Sequence, residues 1–194
     1  MHCEIPWTAD TLVLLWSATK GLGAACLLQV LQEQRIGLER RVAEFWPEFA
    51  QGGKGEITLA QLLSHRAGLS AFEERVDITD YARVIRALER QLPLWLPGEA
   101  HGYHARTFGF LLDELVRRLT GRTLGAYWRS VFAEPLALDI WIGLPAEQNS
   151  RVATYAAKAG LAPTPPQFYA DLATPGTLVR RTFTSPAGCT RSAA

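Results

Sequence analysis

Apolar positions along this chain fall mostly at helical spacing, and alternating runs are rare. From Ser17 to about Gln34 the segment SATKGLGAACLLQVLQEQ carries Ala, Leu, Cys and Val on nearly every side. A helix that is apolar all round belongs inside a larger body, so this pattern predicts a central helix. The polar EQRIGLERR closes it, with Gly37 as a break before a short segment ending at Trp46-Pro47. Thr58 stands three residues before Gln61 at the head of LAQLL, a capping-box spacing, and Gly68 is expected to end that short helix. Another helix is predicted from about Ile78 to Gln91. Between Thr107 and Leu119, the side chains of Phe108, Leu111, Leu112, Leu115 and Leu119 recur at helical spacing while Asp113, Glu114, Arg117 and Arg118 face outward, and Gly121 stops the run. Thr123 caps a following helix that carries Tyr127, Trp128 and Val131.

Strand signals are thin. TLVLLW ahead of Ser17 and DIWIGL over Asp139 to Leu144 are the two short candidates. Beyond Gly160 the prolines of APTPPQFYADLATPG and the ending SPAGCTRSAA show no periodicity. The expected organisation is a helix-rich body over residues 1–160 and an irregular, proline-rich tail over 161–194, with no internal repeat.

Composition narrows the function classes. With 194 residues, 48% of them apolar, 20% charged and a net charge of +1, the chain suits one domain or one large piece of a bigger enzyme. It has no basic stripe of the kind that phosphate-backbone binding needs, so nucleic acid is a poor partner. Cys3, Cys26 and Cys189 are odd in number and fit no metal or CxxC spacing, and Cys26 reads as a small core residue. No apolar run approaches the length that spans a bilayer, and MHCEIPWTAD lacks a basic head followed by an apolar stretch. The expectation is a cytoplasmic protein with no membrane partner. Histidines and carboxylates show no HExxH-like spacing, so no metal site is expected; the serine chemistry read below needs no cofactor.

One pair carries chemistry. A serine hydroxyl becomes a nucleophile only when a neighbour takes its proton, and lysine can do this where arginine cannot. Lysine is scarce here: of the 20 Lys and Arg residues, only Lys20, Lys54 and Lys158 are lysine. Ser17 and Lys20, three apart, would share one helix face that continues through Ala24, Leu27 and Leu31, so Lys20 is expected to lie along an apolar surface. A helix start at Ser17 would also offer backbone N–H groups to a developing oxyanion. The alternative is that Ser17 merely caps the helix and Lys20 reaches water.

Ser-x-x-Lys is a known signature of β-lactamases and penicillin-binding proteins. With it, LVLLWSATKGLGAACLLQVLQEQRIGLERRVAEFWPEF, ITLAQLLSHRAGLS and LPLWLPGEAHGYHARTFGFLLDELVRRLTGRTLGAYWRSVFAEPLALDIWIGLP, in that order, resemble the serine β-lactamase-like superfamily over roughly Pro6 to Phe183. The family VIII carboxylesterases are its most similar branch, and class C β-lactamases and D-amino peptidases are more distant. The resemblance implies an α+β, β-lactamase/transpeptidase-like fold, of which this chain carries mostly the helical lobe and little antiparallel sheet. It implies acylation of Ser17, assistance from Lys20, and proton relay by Tyr103 in HGYHARTFG. Small esters are the implied substrates, with β-lactams or D-amino peptides as the alternative; a non-catalytic remnant acting as a binding module is a third reading.

Two departures stand out. The asparagine two residues after the tyrosine in β-lactamases is Ala105 here, which favours ester over lactam cleavage. The third family element, a Lys-Thr-Gly or His/Trp-x-Gly segment, has no counterpart, and the chain reads as truncated at both ends, with exposed apolar surface expected. Ala105, His104 and Trp95 are the candidate substrate-lining residues, Trp128 and Trp141 serving either a pocket or the core. His65 and His104 read as structural, His65 within a turn that recurs in the resembling family, and His101 as a loop residue without a clear role.

Overall fold

The computed structural model describes residues 6–154 and 166–184. Its first helical turn is a 3-10 turn over Trp16–Ala18, which runs directly into α1, Thr19–Glu33. The other helices are α2 (Leu59–Leu63), α3 (Tyr81–Arg90), α4 (Thr107–Thr120), α5 (Leu124–Trp128), α6 (Pro166–Ala173) and α7 (Leu178–Thr184). One π-helical turn, Arg129–Ala133, extends α5.

Capping residues place most of these boundaries as their sequence suggests. Thr58 and Gln61 form the reciprocal cap of α2, with Gln61 N–H donating to Thr58 Oγ1 (3.2 Å) and Thr58 N–H to Gln61 Oε1 (2.9 Å). Gly121, at φ 72, ends α4, and Thr123 caps α5 by accepting the Ala126 N–H at 3.0 Å. Three boundaries differ. α3 begins at Tyr81 rather than near Ile78, because Asp77 folds back on Thr79 and Asp80 takes the Arg83 N–H at 3.0 Å. α2 ends well before Gly68, and it is His65 that turns left-handed after it, at φ 61. The central helix starts with a 3-10 turn, and no side-chain cap bond forms there.

Helix α1 packs against α4 and α5. Cys26, Leu27, Val30 and Leu31 of α1 join Phe108, Leu111, Leu112, Leu115 and Val116 of α4 in a single core that also takes in Trp46, Phe49 and Leu88. Burial of this apolar surface is the main force for folding. Cys26 is fully buried and its thiol is pushed up to about 11 by that burial, so it is the inert core residue its position suggests. α1 is not covered all round: Leu28 is 44% exposed, as are Val13, Leu14, Leu15 and Trp16 by 41–64%.

Neither strand candidate forms a strand. Among the described residues the only β features are two isolated bridges, Leu12 with Val152 and Arg41 with Thr58. TLVLLW meets the chain at Arg151–Ala153 through Leu12, and DIWIGL runs as loop and bend. A strand needs a continuous partner to satisfy its backbone, and neither segment has one here. The stretch expected to be irregular contains α6 and α7, which pack on each other. Thr177 initiates α7 by accepting the Arg180 N–H at 3.2 Å. Cys3, Lys158, Cys189 and the ending SPAGCTRSAA lie outside the described residues.

Lys54 shows how buried polarity is satisfied in this core. Its side chain is fully buried and its ammonium donates to the carbonyls of Gln51 (2.6 Å), Glu89 (2.9 Å) and Gln91 (2.6 Å). Burial pulls its pKa down to about 8, opposed by Glu89. Two of those carbonyls belong to the last turn of α3 and its cap, where a helix leaves acceptors without partners and welcomes a positive charge. Replacing Lys54 by Met is expected to lower unfolding free energy by about 3 kcal/mol, because three buried acceptors lose their donor. Urea unfolding followed by circular dichroism checks this.

Candidate active site

The 3-10 turn carries Ser17 and the first turn of α1 carries Lys20, and the two side chains meet on one side. Lys20 Nζ stands 3.2 Å from Ser17 Oγ and lies over the ring of Tyr103, 5.0 Å from its centroid. The structure thus brings together the three residues read as catalytic, two from adjoining helical turns and one from a loop some 80 positions later. Ser17 is exposed, Lys20 half-buried and Tyr103 36% exposed. Lys20 does not run along the core with Leu27 and Leu31, which are buried; it bends toward the serine and the tyrosine and also lines a cavity.

The oxyanion donors expected of a helix start are largely engaged. Ala18 N–H donates to Leu15 O at 3.2 Å and Thr19 N–H to Trp16 O. Trp16, immediately before the serine, has a left-handed backbone (φ 50), a conformation a tryptophan adopts only under constraint. That strained step lies directly before Ser17, which is exposed.

A cavity of about 540 Å³ opens beside Lys20, between α1 and α4. Trp16, Gly23, Ala105, Phe108, Phe110 and Leu124 are among its lining residues. Of the three candidates for substrate contact, Ala105 lines this cavity. His104 and Trp95 do not. His104 is fully buried, its Nε2 accepting the Leu69 N–H at 3.0 Å and its Nδ1 lying 2.6 Å from Gly102 O. That arrangement places the proton on Nδ1 and leaves no atom for a ligand. Trp95 is half-buried, donates to Ala100 O at 3.1 Å and packs edge-on against His104. Trp128 is a core residue bonded to Ile140 O, and Trp141 stacks under Arg129.

The aromatic wall that sequence reasoning missed consists of Trp16, Phe108 and Phe110. Only the position of Trp16, next to Ser17, signals it; the two phenylalanines look like ordinary core residues of an amphipathic helix. Around Tyr103 the tail adds a further neighbour. Phe183 of α7 lies 6.4 Å from the Tyr103 ring, and Arg106 donates to Phe183 O at 2.9 Å. Among the described residues no group of three His, Cys, Asp or Glu side chains is placed to hold a metal, and no helix is long and apolar enough to cross a membrane.

Comparisons with known proteins agree with this architecture. The family model Beta-lactamase matches residues 1–192. Esterase/beta-lactamase LipL of Mycobacterium tuberculosis is 36% identical over 156 residues, 77% of this chain and 35% of the relative. A penicillin-binding protein homolog from Caulobacter crescentus superposes with a TM-score of 0.79 at 38% identity, covering 89% of this chain and 48% of that one. A family VIII carboxylesterase structure gives 0.74 at 42% identity, over 79% and 43%. The chain therefore spans less than half the length of each of these relatives, and its helices correspond to part of a β-lactamase-like fold.

Burial holds the pKa of His104 down at about 4, despite the opposing bond from Gly102. An unfolded histidine titrates near 6.5, so between about pH 6.5 and 4 the unfolded chain binds the extra proton and the folded one resists it. Stability present above pH 6.5 is accordingly lost as pH falls toward 4, by about 3 kcal/mol for this residue. Urea midpoints measured between pH 7 and 4 should fall accordingly, and His104→Gln, although less stable at pH 7, should show a shallower slope.

Proposed function

We propose that this chain, which belongs to the beta-lactamase family, acts as a serine hydrolase on small carboxylic esters, with Ser17 as the acylated residue. The observation that carries this reading is the meeting of Ser17 and Tyr103 at Lys20: 3.2 Å from Nζ to Ser17 Oγ and 5.0 Å from Nζ to the centre of the Tyr103 ring. Ser17 Oγ attacks the ester carbonyl and its proton passes to the Tyr103–Lys20 pair. The same proton is returned to the departing alkoxide, which leaves as the alcohol. Water then attacks the acyl-enzyme, and Ser17 regains a proton as the acid departs. Because Ala18 and Thr19 N–H groups are engaged within the turn, the donor this segment contributes to the oxyanion is the N–H of Ser17 itself.

The cavity supports esters over lactams. Ala105 supplies a methyl where an amide side chain would address a substrate amide, and Trp16, Phe108, Phe110 and Leu124 give the wall apolar surface, with Arg106, Asp113 and Arg117 as its charged part. An apolar acyl or alcohol group suits such a lining. A second reading, a non-catalytic lobe that binds a partner, draws support from the exposed side chains of Leu14, Trp16 and Leu28.

Incubation with p-nitrophenyl butyrate distinguishes the two. The expected result is a burst of nitrophenol and covalent capture of Ser17 by a fluorophosphonate, both lost in Ser17→Ala; equal background from wild type and variant defeats the ester reading. Cavity size offers a second check. Gly109 of α4 lines the cavity and a Cβ built there meets nothing within 4 Å. Gly109→Leu should therefore lower the ratio of hexanoate to acetate cleavage on the order of tenfold, measured on the p-nitrophenyl esters.

A further inference from the structure

His65 sits just past the end of α2, in the left-handed conformation. Its N–H donates to Leu62 O at 3.2 Å and that of Arg66 to Gln61 O at 2.8 Å, the paired bonds of a Schellman turn in which glycine or asparagine is usual. Arg35 and Ala137 adopt the same conformation elsewhere in the chain, so the backbone alone does not single out His65. Its other partners do. Gly102 N–H donates to the carbonyl of His65 at 3.2 Å, and His104 N–H donates to its Nδ1 at 3.2 Å. Tyr103 lies between those two amides. The imidazole also packs 5.2 Å from the Tyr103 ring and 4.5 Å from Phe108.

We propose that His65 is a positioning residue: by accepting hydrogen bonds from the amides on both sides of Tyr103, it holds that ring against Lys20. The consequence for catalysis rests on the ester reading above, but the positioning itself does not. An acceptor at Nδ1 requires neutral imidazole with its proton on Nε2. The groups facing it maintain that state: burial, then His101, then Lys20 hold His65 down at about 4, while buried His104 is itself neutral. Protonation puts a hydrogen on Nδ1 opposite the His104 N–H, and donor then faces donor.

Two variants isolate the acceptor. His65→Asn keeps a side-chain oxygen near the Nδ1 position and tolerates the left-handed turn; His65→Gly relaxes the turn and removes the acceptor. Both lose the imidazole packing. The ring-current shift that Tyr103 imposes on the Lys20 ε-protons, read by NMR, should persist in His65→Asn and vanish in His65→Gly. In wild type it should collapse as pH falls through about 4; because His104 titrates over the same range, the same fall is followed in His104→Gln, where the collapse should remain. Fluorophosphonate labelling of Ser17 should slow by about tenfold or more in His65→Gly and stay within about threefold of wild type in His65→Asn. Equal behaviour of the two variants, or a Lys20 shift in wild type that ignores the titration of His65, overturns the proposal. Should wild type fail to label at Ser17, the ester reading falls, and the Lys20 shift still decides the role of His65. Should neither variant fold, the titration of wild type beside that of His104→Gln decides it.

Discussion

The close approach of α1 to α4 and α5 at Gly23 governs the rest of the molecule. A Cβ at this position would stand 3.2 Å from Leu112 Cδ1 and 3.3 Å from Leu124 Cδ2, tighter than ordinary packing tolerates without movement. With hydrogen there, the three helices close on one another and Cys26, Leu27 and Val30 lock the register one turn further on. That register decides which residues of the preceding turn emerge beside the cavity. Lys20, three positions earlier than Gly23, lies on the same side of the helix, and so the core contact and the position of the amine are a single constraint.

Tyr103 reaches Lys20 by a different route. It lies on a loop, and loops hold a geometry only when their backbone groups have fixed partners. Those partners are supplied by polar side chains and by the main-chain carbonyl of His65. His104 bonds Leu69 N–H, Thr107 Oγ1 donates to Leu69 O at 2.5 Å, and His65 accepts the amides of Gly102 and His104. The turn after α2 and the loop before α4 are thus stitched together by histidine and threonine rather than by a sheet. Lys54 does comparable work at the far end of α3, where an ammonium ties three carbonyls.

These two kinds of constraint differ in how far a sequence reveals them. Local ones are legible: the Thr58–Gln61 cap, the Gly121 stop, the Thr123 cap and the apolar face of α4 each follow from residues a few positions apart. The Ser17–Lys20 spacing is local as well, so its geometry could be anticipated. The 3-10 start of α1 could not, because the left-handed step at Trp16 is set by surroundings rather than by tryptophan's own preference. The three bonds of Lys54 span up to 37 positions in sequence, and nothing in GGKGEI announces them. The helices of the tail were hidden for a related reason. Prolines and short apolar clusters dilute periodicity, while the contact of Arg181 with Phe72 O and the closeness of Thr182 to Ser70 exist only once the chain has folded back over more than a hundred positions.

The four non-glycine residues with left-handed backbone separate along the same line. Arg35, His65 and Ala137 each follow a helix end, and each is matched by the same pair of backbone bonds, so their strain is the ordinary cost of ending a helix without glycine. Trp16 is different: it is the first residue of the 3-10 turn, and no helix ends before it. Strain without a local cause concentrates where a fold sacrifices comfort for the placement of a reactive group. Trp16 immediately precedes Ser17 and lines the cavity beside Lys20. One residue therefore both sets the backbone just before Ser17 and lines the cavity beside Lys20, so that under the ester proposal the direction of attack and the shape of the pocket would be set together.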